Sequence, residues 1–301
     1  MKLYRLYQID SFTRKKFHGN PAGVVPNADG LNDEQMQRIA REMNNSETAF
    51  IFKSDSPDYD VEVRFFTPTT EIELCGHATI AAHYVRALEG DVEIGTTTQK
   101  TKAGILPVEV IDDGTDFSIM MTQGAPKIDA PLSEAVINKI SDALGIDVKD
   151  LRDDCPVAFA SAGNGVVMVG IKSEEQLHKL KPNFAELLKV SEEIGHEGFY
   201  IFTLDKNSEI LAHGRVFAPA WGVNEDPVTG MANGPFGAYL AHFGICRELE
   251  KNNLLEFKTL QGEAIKRDGG MTVRVELEDG KPKKVQIIGD AVIAFRTVFA
   301  L

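Results

Sequence analysis

The chain has 301 residues, 43% of them hydrophobic and 26% charged. This is an ordinary globular composition, and the length suits two domains of about 150 residues better than a single core. The 45 acidic and 32 basic side chains give a net charge of −13, which argues against a nucleic-acid partner because a phosphate backbone needs a basic surface.

Three widely spaced cysteines, Cys75, Cys155 and Cys246, predict neither a disulfide framework nor a structural zinc site. The N-terminus alternates like a strand and lacks the apolar stretch of a signal peptide. No apolar run of about 18 residues occurs, so no membrane span is predicted. We therefore expect a cytoplasmic protein with no membrane partner.

In chain order, the first half predicts an amphipathic helix over residues 31–43, an apolar strand over 49–52, and a nearly all-apolar helix from His77 to Leu88, before Gly90. The second half predicts a helix over 184–194 and a second all-apolar helix from about Met231 to Phe243. Strand-like segments follow each apolar helix. Helices that are apolar on all sides are normally buried.

The chain also repeats itself. The segment Arg64-Phe65-Phe66-Thr67-Pro68 recurs 151 positions later as Arg215-Val216-Phe217-Ala218-Pro219, and the strand that follows Glu47 has its counterpart after Glu197. An ordered repeat of this length predicts an internal duplication. We expect an α+β fold of two pseudo-symmetric domains, each a curved, mostly antiparallel sheet or barrel around a central helix.

The expected boundaries are 1–126 for the first domain and 127–301 for the second, with a linker at about 127–151. Duplicated domains commonly bind ligands at their interface. Two helix N-termini at such a cleft would supply backbone N–H groups and positive dipole ends, which suit a small carboxylate.

Glu47 lies between a helix end and an apolar strand, in surroundings that suit a base abstracting a proton from carbon. The alternative is that it satisfies backbone donors near a turn, and the local sequence leaves the two open. His77 lies at a helix start, where the positive dipole end favours a neutral ring able to shuttle a proton; the alternative is a structural core histidine.

Cys75, just before that helix, is a second candidate base or a small buried residue. A two-thiol racemase would need a second cysteine near Gly230, where none occurs. Glu225 and Asp226 predict that one carboxylate caps the next helix while the other carries a proton; the alternative is that Asp226-Pro227 forms an ordinary turn. The histidine spacing predicts no metal site, and neither a phosphate loop nor a dinucleotide fingerprint is found.

Together these segments resemble the PhzF-like (phenazine biosynthesis F) isomerase family across the whole chain. The residues that carry the resemblance are Asp10-x-Phe12, Phe17-x-Gly19-Asn20-Pro21-Ala22-Gly23-Val24, Ser46-Glu47-Thr48-Ala49-Phe50, Phe66-Thr67-Pro68, Cys75-Gly76-His77-Ala78-Thr79 and Glu225-Asp226-Pro227-Val228-Thr229-Gly230.

The resemblance implies a diaminopimelate epimerase-like fold with its active site between two domains, no cofactor, a biosynthetic role and a homodimer. It implies that Glu47 is the catalytic base and that His77 and Asp226 assist proton movement. The residues it places around the substrate are Asn20, Cys75, Gly76, Gly230 and Met231. Met231 replaces a serine and Cys75 an alanine of the family pattern, so the resemblance implies the reaction class and not the substrate.

We therefore expect a cofactor-independent isomerase that moves a carbon-bound proton on a small carboxylic acid, with Glu47 as general base. One alternative is a racemase or epimerase that depends on Cys75. Another is a non-catalytic protein that binds small molecules with the same fold.

Overall fold

The computed structural model describes all 301 residues, and they divide into two compact units. The first contains Met1–Thr122 and Ile288–Leu301, and the second contains Gln123–Ile287. This differs from the expected division, because the last 14 residues lie in the first unit. They do so because the final strand pairs with the first strand of the chain.

Six helices and eighteen strands form the two units. The helices are α1 (Asp33–Met43), α2 (Gly76–Glu89), α3 (Glu134–Leu144), α4 (Glu174–Lys179), α5 (Phe184–Ile194) and α6 (Gly230–Phe243). The strands are β1 (Leu3–Ser11), β2 (Asn20–Val25), β3 (Glu47–Lys53), β4 (Val61–Phe66), β5 (Glu71–Ile72), β6 (Gly95–Thr101), β7 (Gly104–Asp112), β8 (Phe117–Thr122), β9 (Pro126–Ile128), β10 (Ala158–Ala162), β11 (Asn164–Gly170), β12 (Phe199–Leu204), β13 (Ile210–Ala218), β14 (Val223–Asp226), β15 (Glu250–Lys251), β16 (Leu254–Gln261), β17 (Gly269–Glu278) and β18 (Lys281–Ala300).

The first unit is a closed barrel of eight strands. Strands β1 to β4 and β6 to β8 pair in succession, and β18 pairs with both β8 and β1. Most pairs are antiparallel, while β2–β3 and β4–β6 are parallel. Closure leaves no edge strand in this barrel, which removes the unpaired backbone groups that an open sheet exposes.

Helix α2 is the core of this unit, and every residue from His77 to Ala87 is buried. It packs against β1, β2, β3, β7 and β8. The helix ends at Gly90, whose φ of 73° allows the left-handed cap that a side chain would disfavour. Helix α1 forms a separate apolar cluster, in which Met36 and Ala40 pack with Val25 and Phe50.

The second unit repeats this order of elements. Strands β11 and β12 are parallel, β12 and β13 antiparallel, β13 and β16 parallel, and β16 and β17 antiparallel. These pairings match β2–β3, β3–β4, β4–β6 and β6–β7 of the first unit. The expected fold of two related domains, each with a sheet around a central helix, is therefore confirmed.

Helix α6 takes the central position of the second unit. Every residue from Ala232 to Ala241 is buried, including Pro235 inside the helix. The segment expected to be a linker instead contains β9 and α3, and α3 joins α5 in the unit's apolar core through Ile140 and Leu187. No helix of the protein is both long and apolar enough to cross a membrane.

Both units contain a matching ion pair before the central helix. In the first, Arg64 donates two hydrogen bonds to Glu71, at 2.7 and 2.8 Å. In the second, Arg215 donates two to Glu225, at 2.9 and 2.7 Å. Such two-pronged pairs fix geometry as well as charge. Each pair therefore ties the strand carrying the repeated segment to the short strand that leads into the helix.

Candidate active site

Glu47 is positioned by the turn between α1 and β3. Helix α1 ends at Asn44 in a left-handed conformation, with φ of 52°. The next residue, Asn45, exchanges two amide hydrogen bonds with the buried side chain of Gln8, at 3.0 and 2.8 Å. Glu47 then begins β3 opposite Ala22 of β2. The clamp on Asn45 fixes the backbone two residues before the carboxylate.

Gly23 allows close strand packing beside Glu47. A Cβ atom at Gly23 would lie 2.7 Å from Oγ1 of Thr48, its partner across the β2–β3 pair. A side chain there would push β3 away from β2. Asn20, which begins β2 opposite Ser11 of β1, is fully buried and lies two residues before the partner of Glu47.

The start of α2 is held by backbone and hydroxyl contacts. The carbonyl of Cys75 accepts hydrogen bonds from the backbone N–H and the hydroxyl of Thr79, at 3.0 and 2.8 Å. The hydroxyl of Ser11 donates to the carbonyl of His77 at 2.8 Å. The Ser11 bond connects the first turn of the helix to β1.

Three chemically active groups meet at this helix start. Nε2 of His77 lies 3.2 Å from Oε2 of Glu47, although the ring N–H does not point at that oxygen as it would in a well-formed hydrogen bond. Nδ1 of His77 lies 3.4 Å from Sγ of Cys75. The structure thus brings three of the predicted site residues of the first unit into direct contact.

Burial controls the protonation of His77. Loss of hydration lowers the pKa of the ring from 6.5 to about 4, opposed by a hydrogen bond to the backbone of Pro21. The ring is therefore neutral at pH 7, as expected from the sequence, but the main cause is burial and not the helix dipole. A neutral imidazole can accept a proton at one nitrogen and donate one from the other.

The start of α2 is suited to an anion. Its first turn contains no acidic residue, and the side chain of Cys75, at the N-cap, makes no capping hydrogen bond. A Cβ atom at Gly76 would meet nothing within 4 Å, so a ligand can approach the backbone there. The N–H groups and the positive end of the helix dipole are then available to a carboxylate.

The predicted residues of the second unit gather at the start of α6. The hydroxyl of Thr229, the N-cap residue, donates a hydrogen bond to the Asp226 carboxylate. The carbonyl of Gly230 accepts one from Gln123 at 2.8 Å, and Sδ of Met231 accepts one from Asn164 at 3.2 Å. As in α2, the first turn contains no acidic residue.

The structure shows what the two neighbouring carboxylates of this region contact. The Glu225 carboxylate is occupied by both prongs of Arg215. The Asp226 carboxylate accepts the hydroxyl of Thr229, the N-cap residue, whose side chain makes no hydrogen bond to the helix. Asp226 is thus held beside the helix start, and the expectation that one of the two carboxylates caps α6 stays a prediction.

Sequence reasoning missed the buried amides that shape this second helix start. Gln261 accepts hydrogen bonds from the backbone N–H of Thr229 and from Asn233, at 3.2 and 2.9 Å, and donates to the carbonyl of Asp226 at 2.8 Å. The hydroxyl of Tyr200 donates to Asn233 at 2.9 Å. The sequence did contain a signal for this network, namely Asn233 within the otherwise apolar segment of α6. A polar group buried in such a helix needs hydrogen-bond partners.

The protein contains two groups of potential metal-ligating side chains whose ligand atoms lie within 4.8 Å of one another. One of them consists of Glu47, Cys75 and His77. A carboxylate, a thiol and an imidazole at this spacing could hold a soft divalent metal. The expectation that the reaction uses no metal therefore stays a prediction.

Comparisons with known proteins agree with this fold. Residues 9–297 match the PhzC-PhzF family, described as phenazine biosynthesis-like protein. Curated relatives are named isomerases. An uncharacterized isomerase of Clostridium acetobutylicum is 50% identical, and the match covers 100% of this chain and 99% of the relative. The isomerase YddE of Escherichia coli is 42% identical, with 99% and 98% covered.

Solved structures lead to the same result. The phenazine biosynthesis protein of the PhzF family from Bacillus anthracis superposes with a TM-score of 0.89 at 33% identity, with both chains fully covered. A hydroxyproline epimerase from Agrobacterium vitis shares the fold, with a TM-score of 0.61 at 14% identity, over 99% of this chain and 93% of that one.

The fold and the relatives thus define an isomerase. Within that class, the chain belongs to the PhzC-PhzF family.

The protonation of His77 can be tested by NMR. We expect its imidazole nitrogens to report a neutral ring at pH 7 and to titrate with a midpoint of about 4, because the buried ring resists protonation. Since an unfolded chain protonates at about pH 6.5, the folded state should lose stability as the pH falls from about 6.5 to about 4. His77→Gln should reduce that loss. A midpoint near 6.5 would contradict the burial of the ring.

Proposed function

We propose that this protein is a cofactor-independent isomerase in which Glu47 removes a proton from carbon on a small carboxylic acid. The observation that carries the proposal is the 3.2 Å contact between the Glu47 carboxylate and the buried, neutral ring of His77 at the start of α2. A carboxylate at this distance from a neutral imidazole can accept a proton and pass it on.

The proposed reaction moves a proton and no other group. The C–H electron pair stays on the substrate as an anion delocalised over the adjacent unsaturated or carboxylate-bearing centre, while Glu47 holds the proton. The proton, or another from His77 or Asp226, then forms a new C–H bond at a different carbon. No electrons leave the substrate, so the step needs no redox coenzyme.

The substrate carboxylate is proposed to bind at the starts of α2 and α6. Support comes from each unit taken by itself: both first turns lack acidic residues and both N-caps lack a side-chain hydrogen bond to the helix. In this arrangement Gly76, His77, Gly230 and Met231 supply backbone contacts, and Asn20 and Cys75 line the site. Backbone donors aimed at a developing anion lower the barrier to its formation.

The sequence predictions of a cytoplasmic location, a biosynthetic role, an internal duplication and a homodimer belong to this proposal. The matching order of elements in the two units supports the duplication. Exposed apolar side chains on one face of the paired strands β1 and β18, namely Leu3 and Val298, offer a surface to a second copy.

Glu47→Gln should abolish turnover while the protein stays folded, because the amide keeps the shape of the carboxylate but cannot act as a base. With small unsaturated amino acids and hydroxyacids in D₂O, wild-type protein should place deuterium on carbon, as followed by NMR. The variant should lose about 10²-fold or more of that rate, the usual contribution of a general base.

The matched control is Glu42→Gln, which changes an exposed carboxylate on α1. It should exchange deuterium at the wild-type rate. Exchange that survives in Glu47→Gln would remove Glu47 from the role of base. No exchange by the wild-type protein across a broad panel would favour the non-catalytic binding protein.

A second candidate is a racemase or epimerase with Cys75 as one base. The 3.4 Å contact between Cys75 Sγ and His77 Nδ1 favours it, since an imidazole can take the thiol proton. Against it, the N-cap of α6 is Thr229, where a two-thiol enzyme would place its second cysteine.

Cys75→Ala separates the two candidates. If Glu47 is the base, the variant should keep deuterium exchange within about 10-fold of wild type, because only a neighbour of His77 is lost, whereas loss of a base costs about 10²-fold or more. Inactivation of the wild-type protein by iodoacetamide, together with loss of exchange in Cys75→Ala, would instead favour the thiol mechanism.

A further inference from the structure

A second cluster of ligand-type side chains lies in the second unit and contains none of the residues assigned to the isomerase reaction. Three elements that are distant in sequence contribute to it: α4, β13 and the 3₁₀ turn Glu263–Ile265 after β16. We call it the α4 cluster. Its members are Glu174, His178, His213 and Glu263.

The atoms of the α4 cluster are already close to one another. Oε2 of Glu263 lies 2.8 Å from Nδ1 of His213 and 3.2 Å from Nε2 of His178. Oε1 of Glu174 lies 3.9 Å from the same nitrogen of His213. All four ligand atoms lie within 4.8 Å of one another.

These separations match a tetrahedral ion. Ligand atoms at about 2.0–2.1 Å from zinc lie about 3.4 Å apart, and the measured separations of 2.8, 3.2 and 3.9 Å bracket that value. Two imidazoles and two carboxylates are ligands that zinc and related divalent ions accept.

Charge and access agree with this match. Two carboxylates and two neutral imidazoles carry a charge of −2, which one divalent ion neutralises. His213 is 14% exposed and Glu263 25%, so the inner ligands are sheltered, while His178 and Glu174, at 31% and 49%, leave a path from solvent. The hydrogen bond to Glu263 raises the pKa of His213, and the negative charges of Glu174 and Asp205 raise it further. Protons should therefore compete with a metal ion for the His213 ring.

The scaffold around the α4 cluster is held independently of any ion. Arg215, two residues after His213 on β13, donates hydrogen bonds to the carbonyls of Leu177 and Leu180 at 2.9 and 3.0 Å, and so fixes the last turn of α4 against the strand. Glu263 follows Gly262, whose φ of 86° is left-handed and whose missing side chain lets the turn approach the carbonyl of Pro227.

We propose that the α4 cluster is a binding site for one divalent transition-metal ion, with zinc as the best fit to its ligands and spacing. The ion would replace the two hydrogen bonds that Glu263 accepts and would join α4, β13 and the turn after β16 through a single centre. Its role would be structural, because Glu263 lies two residues from Gln261, the amide that organises the start of α6.

Zinc chloride titrated into the full-length protein at neutral pH should bind at one equivalent by isothermal titration calorimetry and should raise the melting temperature. His178→Ala and His213→Ala should each weaken binding at least about 10-fold, the lower limit seen when even a supporting partner of a metal ligand is lost. Glu263→Gln should do the same. The glutamine of Glu263→Gln keeps an oxygen that can accept hydrogen bonds from the rings of both His178 and His213. A loss of zinc affinity in this variant would therefore not reflect unfolding.

The matched control is His242→Ala, which removes an exposed histidine of α6 and should bind zinc as wild type does. Cys75→Ala distinguishes the α4 cluster from the group at Glu47, and it too should keep the one-equivalent site. Absence of binding, or binding that persists in both His178→Ala and His213→Ala, would overturn the proposal. Loss of the site only in Cys75→Ala would also overturn it and assign the ion to the start of α2.

Discussion

The arrangement of this protein depends on the burial of one apolar helix inside each sheet. A helix without a polar face is stable in water only if strands cover it on all sides, and α2 and α6 are buried along almost their whole length. Their first N–H groups have no partner within the helix. The start of each helix is therefore where backbone donors are left over, and the proposed substrate contacts are placed at these two helix starts.

The two helix starts share their geometry but differ in chemistry. The Arg64–Glu71 and Arg215–Glu225 pairs are made in the same way and tie the same pair of strands together. The start of α2 then places a thiol and an imidazole next to a carboxylate, whereas around the start of α6 buried amides and a hydroxyl surround Asp226. Proton transfer in the proposed reaction is accordingly centred on the first unit.

Local patterns predicted most of the fold. The helix expected over 184–194 matches α5, and both central helices begin within one residue of their expected starts. The misplaced domain boundary has a physical reason, since the pairing of β18 with β1 joins opposite ends of the chain and leaves no local signal. Likewise, Gln8 and Asn45, or Glu174 and Glu263, become neighbours only through tertiary folding. The neutrality of His77 was predicted, but its main cause, burial, depends on packing that a single sequence does not reveal.

The central claim is that the start of α2 holds the substrate carboxylate beside Glu47. Titration of ¹⁵N-labelled protein with the carboxylic acids that support deuterium exchange tests it most directly. The account predicts that the backbone amide resonances of Gly76 and His77 shift with saturable dependence on ligand concentration, in Glu47→Gln as well as in wild type, because the variant loses the base but not the anion site. Shifts that saturate elsewhere and leave both amides unchanged would contradict the account.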